Sequence, residues 1–152
     1  MSRSEIVILR DPADNFPSLE EARSILSQMG IVHREEILPT LPTIGALRGL
    51  IETISQSVCI VAAGRSAYVL PILAASVASQ QPLIVLPSPS ETVSQEYLDK
   101  IFDALRGYPV AFTRPHDAQS AVLLAVHLLA SRHPSYADIL QAFVQKRHLQ
   151  PA

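Results

Sequence analysis

Val58-Cys59-Ile60-Val61-Ala62-Ala63-Gly64-Arg65-Ser66 is the stretch on which the fold turns. Val58 to Ala62 is apolar without interruption, too short for a buried helix, and rich in β-branched residues. Such a run belongs to a strand covered on both faces, as in a parallel sheet. Gly64-Arg65-Ser66 then makes the turn into an apolar helix running to about Ser79. Two more runs share the pattern. Ile6-Val7-Ile8-Leu9 ends in the turn residues Asp11-Pro12-Ala13-Asp14-Asn15, and Leu83-Ile84-Val85-Leu86 is closed by Pro87-Ser88-Pro89.

Between the strands lie helical patterns. Ser18 precedes Glu21 by three residues, the spacing of a capping box, and Leu19, Ala22, Ile25, Leu26 and Met29 follow at helical spacing before Gly30. Ile31 to Leu38 alternates weakly, which fits an exposed or edge strand. Thr43 to Ile54 reads as a helix, and Thr92 with Gln95 opens another that carries Leu98, Ile101, Phe102 and Leu105. Pro109 to Phe112 is a last short strand. Asp117 to Arg132 and Pro134 to about Lys146 form a C-terminal helix pair. Tyr136, Ile139, Leu140, Phe143 and Val144 give the second helix an apolar stripe. Alternating strands and helices predict a three-layer α/β/α sandwich with a central parallel, flavodoxin-like sheet, in one domain spanning 1–152. Ligands in such folds sit beyond the carboxyl ends of the strands, here loops 10–15, 39–43, 62–68 and 87–91.

The chain of 152 residues carries 12 Lys and Arg against 14 Asp and Glu, a formal charge of -2. No basic surplus exists to neutralise a nucleic-acid backbone. Charged residues make up 17% of the chain and apolar ones 48%, with a mean hydropathy of +0.23. So few charges argue for surface hidden in an oligomer. The four-residue apolar run after Met1-Ser2-Arg3-Ser4-Glu5 is too short for a signal-peptide core. Ala121 to Ala130 is about half the length of a membrane span and reads as a helix buried on nearly all sides, with His127 packed in the core. The lone Cys59 cannot form an internal disulfide, which fits a cytoplasmic setting and a buried structural thiol.

The chemistry-bearing residues are few. Arg10, Asp11 and Asp14 follow the first strand without the glycines of a phosphate-cradling loop. A phosphoacceptor receiver would need an Asp where Ala62 and Ala63 stand. Gly64-Arg65-Ser66-Ala67-Tyr68 lies where a hydrolase nucleophile elbow would, but Tyr68 replaces its second glycine. Arg65, at a helix start, is instead placed to contact an anion. His33, His116, His127, His133 and His148 show no i+4 pairing and have no cysteine partners, so no metal site is expected.

The order of elements resembles the PurE family along nearly the whole chain. These are the carboxyaminoimidazole ribonucleotide mutases and aminoimidazole ribonucleotide carboxylases of purine biosynthesis. Val7-Ile8-Leu9-Arg10-Asp11-Pro12-Ala13-Asp14 looks like the family's first strand and its Gly-Ser-x-Ser-Asp loop. Gly30-Ile31 fits the opening of its second strand, and Ala63-Gly64-Arg65-Ser66 matches the class II branch. Ala121-Val122-Leu123-Leu124-Ala125 through His133-Pro134 is similar to its C-terminal helices.

The departures fall on the chemistry. The loop serines are replaced by Asp11 and Ala13 and the glycine by Arg10, and only Asp14, matching the ribose-contacting Asp, is kept. The family's Ser-Ala-His-Arg or Ser-Ala-His-Lys reads Pro39-Thr40-Leu41-Pro42 here. Leu41 cannot shuttle a proton, a function worth roughly a hundred- to ten-thousand-fold in rate. The resemblance therefore implies a PurE-like protein that has lost the mutase or carboxylase reaction. It would persist as an oligomeric scaffold, a tetramer or octamer, or as a binder of a small metabolite or nucleotide. The expected ligand-binding residues are Arg10, Asp11, Asp14, Thr40, Gly64, Arg65 and Ser66. No catalytic residue is assigned, and no cofactor, metal, nucleic acid or membrane partner is implied. An active carboxylase with a displaced catalytic group, or a related enzyme acting on another ring, are the alternatives.

Overall fold

The computed structural model describes residues 6–12, 16–38, 43–54, 57–77 and 82–148. Five strands, β1 (Ile6–Arg10), β2 (His33–Ile37), β3 (Val58–Ala63), β4 (Leu83–Pro87) and β5 (Val110–Phe112), form one sheet in the order β2-β1-β3-β4-β5. Every neighbouring pair is parallel, with Ile8 opposite both Glu35 and Ile60, and Ile60 opposite Ile84. This is the flavodoxin-like order expected from the alternation of elements.

Alternate residues of the central strands feed two separate cores. Ile6, Ile8, Ile60, Ala62, Ile84 and Leu86 face α1 (Pro17–Gln28) and α5 (Ala118–Ala130). Val7, Leu9, Cys59, Val61, Leu83 and Val85 face α2 (Ile44–Ile54), α3 (Leu70–Val77) and α4 (Gln95–Asp103). Both faces of β1, β3 and β4 are thus dry, which explains why their sequences do not alternate. Each fully buried Val, Leu or Ile gains about 1.5–3 kcal/mol from leaving water. β2 lies at one edge, as its weak alternation implied. Its Arg34, Glu35 and Glu36 make ion pairs there: Arg23 with Glu35 at 2.6 Å and Arg34 with Glu36 at 3.7 Å. Charge on an edge strand opposes unwanted pairing with another sheet.

The helix starts refine the reading. Thr43 receives the Ala46 N–H on its hydroxyl at 3.1 Å, opening α2. Asp117 caps α5 by accepting the Ser120 N–H at 3.1 Å. α4 begins later than expected: Ser94 is its cap, accepting from the Tyr97 N–H at 3.1 Å, while Thr92 belongs to a turn built on Ser90. The capping box at Ser18 is not formed. Phe16 occupies the N-cap position and Pro17 begins α1, so Ser18 lies inside the first turn. A 3₁₀ turn over Ala67–Val69 precedes α3, whose expected end near Ser79 lies outside the described residues.

α5 is less enclosed than expected. Ala118, Ala121, Val122, Ala125, Val126 and Leu129 are buried against α1 and the sheet, but His127 is exposed. A high mean hydropathy conceals the outward position at which His127 sits. α6 (Pro134–His148) packs on α5. Its stripe residues Tyr136, Ile139, Leu140 and Phe143 are only half-buried, and Val144 is exposed. No helix among the described residues is long and apolar enough to cross a membrane.

Cys59 is fully buried in β3, its Sγ 3.9 Å from the Ser57 carbonyl oxygen. Burial pushes its thiol from the ordinary 9.0 up to about 12, while nearby Arg34 pulls weakly the other way. A thiol reagent at pH 8 should leave the native chain untouched and find one thiol per chain after denaturation. Below the ordinary value the thiol is protonated in both states. From 9.0 to about 12 only the unfolded chain ionises, so stability should fall with rising pH across that window. Denaturant titrations of the wild type and Cys59→Ala would show it, the variant lacking this part of the alkaline loss.

Candidate functional site

The sheet reverses its direction of growth between β1 and β3, and a crevice at such a switch point is where open parallel sheets bind ligands. The ladder extends past the strands into the loops at this end. Leu38 N–H donates to the Arg10 carbonyl at 2.8 Å, Ser88 N–H to that of Ala63 at 3.0 Å, and Thr113 N–H to that of Val85 at 3.1 Å. These bonds fix the first residue past β2, β4 and β5 against its neighbouring strand.

Asp11 and Ser66 close the switch point. Ser66 Oγ donates to Asp11 Oδ2 at 2.5 Å, joining the loop after β1 to the loop after β3 across 55 residues of sequence. Both are buried, at 5% and 1% exposure. Ser66 occupies the N-cap position of the 3₁₀ turn, yet makes no side-chain cap, because its hydroxyl is given to the carboxylate. A hydrogen bond to a buried charged group is worth about 1.5–3 kcal/mol, more than an ordinary cap. Gly64 is buried beside them, and its carbonyl accepts the Ala67 N–H at 3.1 Å to start the turn. A hydrolytic serine would give its proton to a histidine. Ser66 gives it to a carboxylate.

Arg10 folds back on its own loop. Its Nη1 donates to the carbonyls of Asp11 at 3.1 Å and Pro12 at 3.4 Å, and its Nε lies 4.0 Å from Glu35 Oε1. Glu35 is shared with Arg23, so the charge of Arg10 is partly answered from the β2 side. Arg65, in the loop after β3, is exposed. Asp14 and Thr40 lie outside the described residues. The structure thus brings Arg10, Asp11, Gly64, Arg65 and Ser66 to the ends of two adjacent strands. Among the described residues no three His, Cys, Asp or Glu side chains converge as a metal site would require.

His116 is the residue at this end that the sequence reading passed over. It precedes α5, its Nδ1 is 3.2 Å from Ser18 Oγ and its Nε2 is 2.8 Å from the Pro89 carbonyl oxygen. Its partner Ser18 is 98 residues away. The one local signal was Ser18 itself, a helix-start serine preceded by Pro17 and so displaced from the cap position.

The family model described as AIR carboxylase matches residues 5–150. No curated protein matches the chain.

The Asp11–Ser66 contact is expected to be a coupled pair. Ser66→Ala leaves a buried carboxylate short of a donor, and should cost about 1–3 kcal/mol by urea unfolding. In a double-mutant cycle with Asp11→Ala, the two effects should fall short of additivity by about 1 kcal/mol or more. Additive losses would mean that the two loops are held by other contacts.

Proposed function

Because the chain belongs to the AIR carboxylase family of purine biosynthesis, we propose that it is an oligomeric member that binds a small metabolite or nucleotide and has lost the mutase or carboxylase reaction. The observation that carries this reading is the use made of Asp11. In the resemblance it stands where a ligand-binding serine is expected. Here its carboxylate is buried and engaged by Ser66. A residue turned inward to hold two loops together is withdrawn from contact with a substrate, and its negative charge disfavours a phosphate close by. Leu41, at the position of the proton-shuttling histidine, supplies no acid or base. Ala63-Gly64-Arg65-Ser66 keeps the chain nearest the class II branch.

Ligand binding would then rest on Gly64 and Arg65 after β3, with Asp14 and Thr40 from the neighbouring loops, and Arg10 and Asp11 shaping the floor. Arg65 provides the exposed cation for an anionic group. Purified protein should show no turnover of aminoimidazole ribonucleotide or its carboxylated product above background. It should show a rise in melting temperature with a nucleotide ligand that is reduced in Arg65→Ala, since saturation at a hundred times Kd adds roughly 2.7 kcal/mol. Turnover well above background, abolished by Asp14→Ala, would establish instead an active enzyme with a displaced catalytic group.

The oligomer is supported by apolar residues left at the surface. Tyr68 and Ile72, by the start of α3, are 43% and 52% exposed. Light scattering should give a mass that is a multiple of 16.6 kDa, and Ile72→Glu should lower it by placing a charge in the covered face. A compact monomer at micromolar concentration would rule the assembly out.

A further inference from the structure

His116 adopts a φ of +56°, a left-handed conformation uncommon outside glycine, although histidine, asparagine and aspartate tolerate it better than most. Starting α5 does not call for its side chain. Asp117 caps that helix by accepting the Ser120 N–H, and a glycine or asparagine would meet the backbone requirement at position 116 with less strain. What the imidazole adds is a connection between elements distant in sequence. Its Nε2 faces the Pro89 carbonyl at 2.8 Å, and a carbonyl only accepts, so that nitrogen carries the hydrogen. Its Nδ1 lies 3.2 Å from the Ser18 hydroxyl, which can meet it as donor or acceptor. Phe16 packs edge-on against the ring, with centroids 5.2 Å apart and planes at 69°. The His116 main-chain N–H donates to the Pro87 carbonyl at 2.8 Å, holding the residue beside β4 whatever its side chain.

We propose that His116 is a positioning residue for the carboxyl end of the sheet, its ring fixing the first turn of α1 against the Pro87–Pro89 segment. These two segments border the loops after β1 and β4, so the ring ties the helix that follows the one to the segment that begins the other. It does so as a bridge within the protein rather than by touching a ligand. Ser18, 6% exposed, is the other half of the bridge, which explains why its hydroxyl is used here rather than as a helix cap. The effect on ligand affinity rests on the binding reading above. The effect on the loops does not.

The test uses His116→Gly, which removes the ring and relieves the left-handed backbone, and Ser18→Ala, a milder change that removes one contact. Hydrogen–deuterium exchange followed by mass spectrometry should speed up about tenfold in residues 16–19 and 87–91 of His116→Gly, the loss of one or two ordinary hydrogen bonds. The sheet should remain protected. Long-range imidazole 1H–15N spectra of the wild type should show the Nε2–H tautomer, a signature that a merely space-filling histidine would not keep. Affinity for adenosine monophosphate, as the probe, should fall about tenfold in His116→Gly and less in Ser18→Ala. Unchanged exchange in both segments, or a ring averaging between tautomers, would overturn the proposal. Accelerated exchange in a protein that binds no nucleotide would uphold the positioning role and refute the binding reading. Should His116→Gly fail to fold, Ser18→Ala still decides: faster exchange at both segments supports the bridge, and native exchange at both removes it.

Discussion

Three strands, β1, β3 and β4, have water on neither face, and most of the molecule follows from that constraint. A parallel sheet must be covered on both sides, so helices have to lie above and below it, and right-handed crossovers allocate them. The first crossover puts α1 on one face. The next three put α2, α3 and α4 on the other, and the sheet's direction of growth changes between β1 and β3. Buried Cys59, with its raised thiol pKa, is a by-product of the same enclosure.

Enclosure also dictates how polar groups are used at the sheet's carboxyl end. A carboxylate or hydroxyl near the ends of dry strands needs a partner, because leaving it unsatisfied costs more than the bond returns. Asp11 takes Ser66, Ser18 takes His116, and Arg10 takes the carbonyls of its own loop. The first two pairings join segments far apart in sequence. Arg65, in the loop after β3, is exposed at this same end.

Those pairings mark where one-dimensional reading stops. The strand runs at Ile6, Val58 and Leu83 were legible because burial on both faces leaves a continuous apolar record. β2 was legible as an edge because it kept its charges. The start of α5 near Asp117 was legible, and the structure adds its cap, whose acceptor and donor lie three residues apart. Ser18 misled for the converse reason: its spacing to Glu21 was right for a capping box, but a histidine 98 residues on offered its hydroxyl a better partner. His127 was placed in the core by the apolar average around it, whereas helical geometry turned that one position outward.

The sequence by itself determined the α/β layering, the parallel sheet, the family resemblance and the loops among which a site belongs. These depend on periodicity, composition and motif order, which are properties of neighbouring residues. Only the tertiary structure decided that Asp11 holds Ser66, that Arg10 serves its own loop, and that His116 bridges Ser18 and Pro89. Hydrogen bonds are short-ranged and directional, so partners far apart in sequence can be identified only once the sheet has brought their strand ends together.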